Sequence, residues 1–240
     1  VEERDGIVWL WGGARDAADP ALIPAFPFVP DAPGWRTLRG YTLMLANYEY
    51  GTDNLMDLSH IEFVHKGSFA GQGVIFAGEH SVRQDGDTLH SNWWMPNVPA
   101  PSACRPPYDQ GQLTDHWLDM RWNAPASMRL DLGATLPGQP RDAGYKVGGQ
   151  AHIVTPETPT TSHYFTANAR HGIDLTHTLS QAHRHLLDLI EDRFTLDREL
   201  GQQAGPQRDA RWRGVIGHEA RGRLAAVVEL HEGQAGDALE

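Results

Sequence analysis

Three β-hairpin signals in the middle of the chain constrain its fold more than any other feature. Each is a turn sequence between two β-like segments: Asp85-Gly86 within residues 80–95, Ala124-Pro125 within 113–136, and a Pro-Glu-Thr-Pro run within 150–171. Hairpins join antiparallel neighbours. The sequence therefore predicts a curved antiparallel sheet in this region.

Helical patterns lie before and after the predicted sheet. Residues 47–67 carry one helical stretch, and apolar residues in 175–200 recur close to the 3.6-residue period of a long helix. Residues 211–232 predict a last helix. An antiparallel sheet with helices at either end of its sequence is an α+β arrangement.

The N-terminal residues have a different character. The run GIVWLWGG at 6–13 is β-like, with tryptophans at alternate positions, and a strand that opens a chain suggests a preceding domain. The Pro- and Ala-rich residues 14–35 predict an irregular linker, and residues 35–45 are again β-like. We expect the sheet domain to begin after this linker.

Composition excludes several classes of function. The net charge of −11 argues against nucleic acid and anionic membranes as partners, and no apolar run is long enough for a transmembrane helix. The single cysteine, Cys104, cannot form an intrachain disulfide, which fits a reducing cytoplasm. One cysteine also cannot hold an iron–sulfur cluster.

The segment NLMDLSHIEFVH carries the strongest chemical signal, with Asn54, Asp57, His60 and His65. Two histidines and a carboxylate on one face of a metal suit non-haem iron(II) oxygenases. On an ideal helix, side chains five residues apart point roughly 140° away from each other. A shared metal therefore predicts a π-bulge or break between His60 and His65.

Other interpretations of the same residues remain open. The chain has 13 histidines, so two of them can fall five apart without any common function. Asp57, three residues before His60, can hydrogen-bond the imidazole of His60 without being a metal ligand itself. A zinc hydrolase of the HExxH type is disfavoured, because Ile61 follows the first histidine and Glu62 comes one position too late.

The segment resembles the iron-binding motif of Rieske non-haem iron oxygenases, most of all the vanillate O-demethylase type. The run at 6–13 resembles the end of that family's Rieske domain, residues 19–24 resemble the following linker, and 155–165 resemble the strand pair before its long C-terminal helix. The resemblance implies a helix-grip, START-like fold. It assigns residues 1–34 to the tail of a Rieske domain and linker, and 35–240 to the catalytic iron domain, and it implies that the Rieske domain is missing apart from its last strand.

The resemblance also implies roles for the site residues. His60 and His65 would bind iron, Asn54 would lie near it, and Asp57 would pass electrons from a Rieske-ligating histidine of a neighbouring subunit in a homotrimer. The family's third ligand is a carboxylate in the C-terminal helix. Asp192 fits the family pattern, whereas Asp197 fits helical periodicity better because it falls within the apolar stripe. We favour Asp192, with Asp197 as the alternative.

The function implied is that of an oxygenase component. Mononuclear iron(II) and dioxygen would hydroxylate or O-demethylate a small aromatic substrate. A reductase or ferredoxin would supply electrons through a Rieske [2Fe-2S] cluster whose ligands are not in this sequence. The competing hypothesis is a module of helix-grip fold that binds a hydrophobic small molecule without redox activity. Iron binding that depends on both histidines distinguishes the two.

Overall fold

The computed structural model describes residues 1–30, 32–65, 73–171 and 224–227. Its strands, in chain order, are β1 (Glu2–Arg4), β2 (Ile7–Trp11), β3 (Trp35–Met44), β4 (Glu79–Asp85), β5 (Thr88–Pro99), β6 (Leu113–Asn123), β7 (Ser127–Thr135), β8 (Tyr145–Thr158), β9 (Thr161–His171) and β10 (Leu224–Val227). Strands β3 to β9 form a sheet in the order β3-β9-β8-β7-β6-β5-β4. Every neighbouring pair in it is antiparallel, as the sequence predicts.

The predicted hairpins occur where their turn residues lie. Asp85 pairs with Thr88, so Gly86 and Asp87 form the two-residue loop between β4 and β5. Gly86 has φ +56°, a conformation that favours glycine. The turn between β8 and β9 follows Thr158, at the end of the predicted Pro-Glu-Thr-Pro run.

The two faces of the large sheet pack against different layers. One face contributes to a core that includes Met95, Leu118, Met120, Met128 and Val154. Because successive side chains on a strand point to opposite sides, Ala151, Ile153 and Ala167 lie on the other face, in a second core with β2 and the linker. We call the first face the inner face, because residues 54–65, the histidine segment, pack against it through Leu58.

The predicted helical stretch 47–67 is confirmed as far as the structure describes it, but it is broken. Helix α1 (Tyr48–Met56) begins after Asn47, whose side-chain oxygen accepts a hydrogen bond from the Glu49 backbone N–H at 2.9 Å. A 3₁₀ turn (Leu58–His60) and the short helix α2 (Ile61–Val64) follow. Residues 66–72 are outside the described ranges.

A second, three-stranded sheet has the order β1-β2-β10. Strand β10 is antiparallel to β2, with Leu224 opposite Trp11. The helix predicted over 211–232 is therefore wrong for residues 224–227. Apolar runs of this kind suit either structure, and here pairing with β2 decides. The rest of that helix and the helix predicted over 175–200 lie outside the described residues.

No helix within the described ranges is long and apolar enough to cross a membrane.

Candidate metal centre

The rings of His60 and His65 lie side by side, with centroids 5.3 Å apart and planes inclined by 69°. The helical path is interrupted on either side of them rather than between them. Asp57 has φ −95° and ψ 82°, and His65 has φ −100° and ψ 17°, while the residues from His60 through α2 are helical. The predicted break between the histidines is therefore wrong in position. Because His65 has left the helix, helical periodicity no longer sets its direction.

The His60 ring is held by a backbone group. Its Nδ1 lies 2.6 Å from the carbonyl oxygen of Asp57. A carbonyl can only accept, so Nδ1 carries the proton and Nε2 carries the lone pair. Metal-binding histidines have this arrangement, in which one ring nitrogen donates to the protein and the other is the ligand.

The His65 ring lies deeper than the His60 ring. Only 5% of His65 is exposed, whereas His60 is half-buried. Neighbouring Leu58 is buried in the inner-face core and Ile61 packs against that core. One imidazole of the pair is therefore buried, and the other is partly accessible to solvent.

Asp57 acts differently from the sequence interpretation. Its carboxylate does not bond the imidazole of His60. One carboxylate oxygen instead accepts hydrogen bonds from the Ser59 backbone N–H at 3.0 Å and from the Ser59 hydroxyl at 2.6 Å. It thus caps the 3₁₀ turn, while its backbone carbonyl holds His60. The Asp57 side chain is exposed.

The remaining predicted residues are placed only in part. Asn54 is half-buried in the last turn of α1. Asp192 and its alternative Asp197 lie outside the described residues. Within the described ranges, no three His, Cys, Asp or Glu side chains come together as a metal site. The described part of the chain therefore supplies a pair of imidazoles, and any third ligand comes from elsewhere.

Sequence reasoning missed a structural role for Glu62. This side chain is 7% exposed, and its carboxylate accepts hydrogen bonds from the backbone N–H groups of Gly73 and, at 3.0 Å, Ile75. It ties α2 to the residues just before β4. A carboxylate bound in this way is not placed to act as a general base, which further disfavours the zinc hydrolase. The sequence signal for this role was the position of a charged residue among apolar ones, where a carboxylate is buried only if it has partners.

Strand β5 is tied to the histidine segment through a buried serine. The Ser91 hydroxyl donates to the backbone carbonyl of Met56 at 3.4 Å, and His80 Nε2 lies 2.9 Å from the same hydroxyl. Met56 directly precedes Asp57. This contact fixes the start of the histidine segment over the inner face of the sheet.

The other strand histidines have structural settings. His116 is buried, and its Nδ1 donates to the Gly133 carbonyl at 2.7 Å. His152 is buried with its Nδ1 2.6 Å from the hydroxyl of Tyr164, whose pKa is raised by burial. His163 stacks on Tyr41.

Comparisons with known proteins identify the family of the chain. The family model for the vanillate O-demethylase oxygenase C-terminal domain matches residues 44–213. The chain is 34% identical to the oxygenase component of dicamba O-demethylase from Stenotrophomonas maltophilia, over 72% of this chain and 51% of that protein. It is 35% identical to the vanillate O-demethylase oxygenase subunit of a Pseudomonas species, over 75% of this chain and 54% of the relative.

The fold matches solved structures of the same kind. Dicamba monooxygenase bound to dicamba aligns with a TM-score of 0.64 at 29% identity, covering 83% of this chain and 61% of that one. The chain thus spans about half the length of the curated relatives it matches.

Proposed function

Since the chain belongs to the family of vanillate O-demethylase oxygenase C-terminal domains, the catalytic part of Rieske-type oxygenases, we propose that it binds mononuclear iron(II) and hydroxylates or O-demethylates a small aromatic substrate. The observation that carries the proposal is the hydrogen bond from His60 Nδ1 to the Asp57 carbonyl. This bond supports Nε2 as the ligand atom, because it assigns the ring proton to Nδ1, and the buried ring of His65 lies beside it.

The donor set suits iron(II). Two imidazoles with one carboxylate leave open positions on the metal, and Asp192 would provide that carboxylate. When bound, the iron would supply the activation of dioxygen, which the amino acids cannot provide themselves. His60 and His65 would hold the metal, and Asn54 would lie close to it.

The inner face supports the choice of an aromatic substrate. Met95, Met120 and Met128 are fully buried there, beside Leu58 of the histidine segment. Apolar side chains of this kind beside the histidines suit an apolar substrate and would keep water from the reacting atoms. The relatives named for O-demethylation of dicamba and vanillate favour attack at an aryl ether.

The electron route depends on parts beyond this sequence. We propose that a reductase or ferredoxin feeds a Rieske [2Fe-2S] cluster and that the cluster reaches the iron across a homotrimer interface. The carboxylate of Asp57 is exposed, and the backbone carbonyl of the same residue accepts the hydrogen bond from His60. Both observations support Asp57 as the crossing point. Residues 1–34 would belong to the Rieske side and 35–240 to the catalytic domain of a cytoplasmic enzyme.

The test is metal content after anaerobic loading with iron(II), measured by mass spectrometry. We expect a single iron per wild-type chain and loss of it in His60→Ala and His65→Ala. His163→Ala is the matched control, because that histidine lies away from the inner face, stacked on Tyr41. Circular dichroism verifies the fold of each variant. Iron that stays in both site variants would contradict the proposal and favour the binding module without redox activity.

A further inference from the structure

Trp93 lies on the same side of the sheet as the histidine segment. Ser91, Trp93 and Met95 occupy alternate positions of β5, so their side chains point to the same face. Trp93 is paired with Leu118 of β6 and packs against the inner-face core. Trp94 points to the opposite face, where it stacks on Trp117 with ring centroids 6.4 Å apart. The two adjacent tryptophans therefore have different environments.

The indole N–H of Trp93 is buried and finds no hydrogen-bond acceptor within the described part of the chain. Other indoles do find one: Trp11 donates to the Ala14 carbonyl at 2.8 Å, and Trp122 donates to that of Pro125 at 3.2 Å. A buried donor without an acceptor is costly, so its retention needs a reason. An acceptor that arrives with a ligand is such a reason.

The orientation of the Trp93 ring is fixed. The His80 ring stacks on it with centroids 4.4 Å apart and planes inclined by 18°. His80 in turn bonds the Ser91 hydroxyl, which donates to the carbonyl of Met56 at the start of the histidine segment. The indole is thus held in place by the His80 ring, and hydrogen bonds connect that ring through Ser91 to the backbone just before Asp57, which positions His60.

We propose that Trp93 is a specificity-determining residue whose indole N–H donates to an oxygen atom carried by the aromatic substrate. An indole nitrogen can only donate, so its partner must be an acceptor, such as a carboxylate or ether oxygen on the ring. This inference rests on the proposed function, because it places the substrate on the inner face beside the histidines.

The direct test observes the indole proton. The ¹⁵N-labelled chain, with and without zinc as a diamagnetic stand-in for iron, is titrated with 3-methoxybenzoate and with toluene. Trp93→Phe assigns the indole cross-peak, and side-chain correlation spectra assign it on the wild type if that variant does not fold. We expect 3-methoxybenzoate to move the Trp93 indole proton downfield and toluene to leave it in place.

Affinity gives a second readout by calorimetry. Trp93→Phe keeps an aromatic ring and removes the donor, so we expect it to weaken 3-methoxybenzoate binding on the order of tenfold, the effect of one lost hydrogen bond. Toluene binding should stay unchanged. Trp94→Phe, on the opposite face, should alter neither probe. Comparing benzoate with methoxybenzene then shows whether the carboxylate or the ether oxygen is the acceptor.

The results that overturn the proposal are specific. They are an unmoved Trp93 peak while 3-methoxybenzoate binds, equal losses for both probes in Trp93→Phe, or no binding of any oxygen-bearing probe to the wild type. Failure of the chain to bind metal would contradict the proposed function instead. The indole titration without zinc still decides the role of Trp93 in that case.

Discussion

His60 is oriented by the backbone carbonyl of Asp57, 2.6 Å from its Nδ1, while the carboxylate of the same aspartate caps Ser59. The two functions of Asp57 can therefore be separated by mutation. Its backbone orients His60, while its exposed side chain caps the 3₁₀ turn and, in the proposed electron route, would also face a neighbouring subunit.

We expect Asp57→Asn to retain iron affinity and stability, because an amide oxygen can still accept from Ser59 and the backbone contact is unchanged. Electron delivery in the full-length enzyme should fall sharply, since the charge at the proposed crossing is gone. Single-turnover rates with a reduced Rieske cluster measure this. Asp57→Ala is the comparison: loss of the cap should cost about 1 kcal/mol of the free energy of unfolding. A normal single-turnover rate in Asp57→Asn would exclude the proposed route.

The third iron ligand can be assigned with a matched pair of variants. We expect Asp192→Asn to weaken iron binding strongly, because an amide is a poor substitute for a carboxylate ligand, and Asp197→Asn to leave it unchanged. Anaerobic titration with iron(II) measures both. The reverse pattern would assign the ligand to Asp197.

The sequence predicted the large sheet well because its turns are local. Asp85-Gly86 and Ala124-Pro125 each specify a chain reversal within a few residues, whatever the rest of the chain does. The strand at Leu224–Val227 was missed because its partner, β2, lies near the other end of the sequence. No local pattern reports such a pairing.

The site was predicted in outline and missed in detail for a similar reason. The spacing of His60 and His65 was sufficient to propose a pair, and the rings are adjacent. Which atom of Asp57 holds His60 depends on backbone dihedrals, which side-chain spacing does not determine. The contacts of Glu62 and Trp93 come from tertiary packing and had no counterpart in the motif.

His116 predicts a pH dependence of stability. Burial lowers its pKa to about 4, although the hydrogen bond to Gly133 opposes the shift. Between pH values of about 6.5 and about 4, His116 binds a proton in the unfolded chain but stays neutral in the folded chain. The free energy of unfolding should therefore fall as the pH falls through this window, by about 3 kcal/mol in all. Above it, the group contributes no pH dependence.

The check is urea denaturation of the wild type and of His116→Asn across that window. Asparagine offers an N–H near the position of Nδ1 and does not titrate. We expect a shallower pH dependence in the variant. Parallel curves would show that His116 is not the group responsible.

Glu62 should contribute to stability through its two backbone partners. Replacing it by alanine leaves the N–H groups of Gly73 and Ile75 without their acceptor. We expect the free energy of unfolding to fall by about 1–3 kcal/mol, measured by urea denaturation. Glu79→Ala, at an exposed carboxylate that starts β4, should change it by less than about 0.5 kcal/mol. Equal effects of the two substitutions would contradict the anchoring role.

The pairing of β10 with β2 also bears on the order of events in folding. The two strands are separated by most of the chain, so bringing them together carries a loop-closure entropy that the local hairpins do not. The hairpins of the large sheet close loops of only a few residues and can form early. The small sheet should therefore be completed last, once the large sheet has shortened the effective distance between its strands. A refolding time course followed by hydrogen exchange would then show protection at β5 and β6 before protection at β10, because β2 can already be protected by its local pairing with β1.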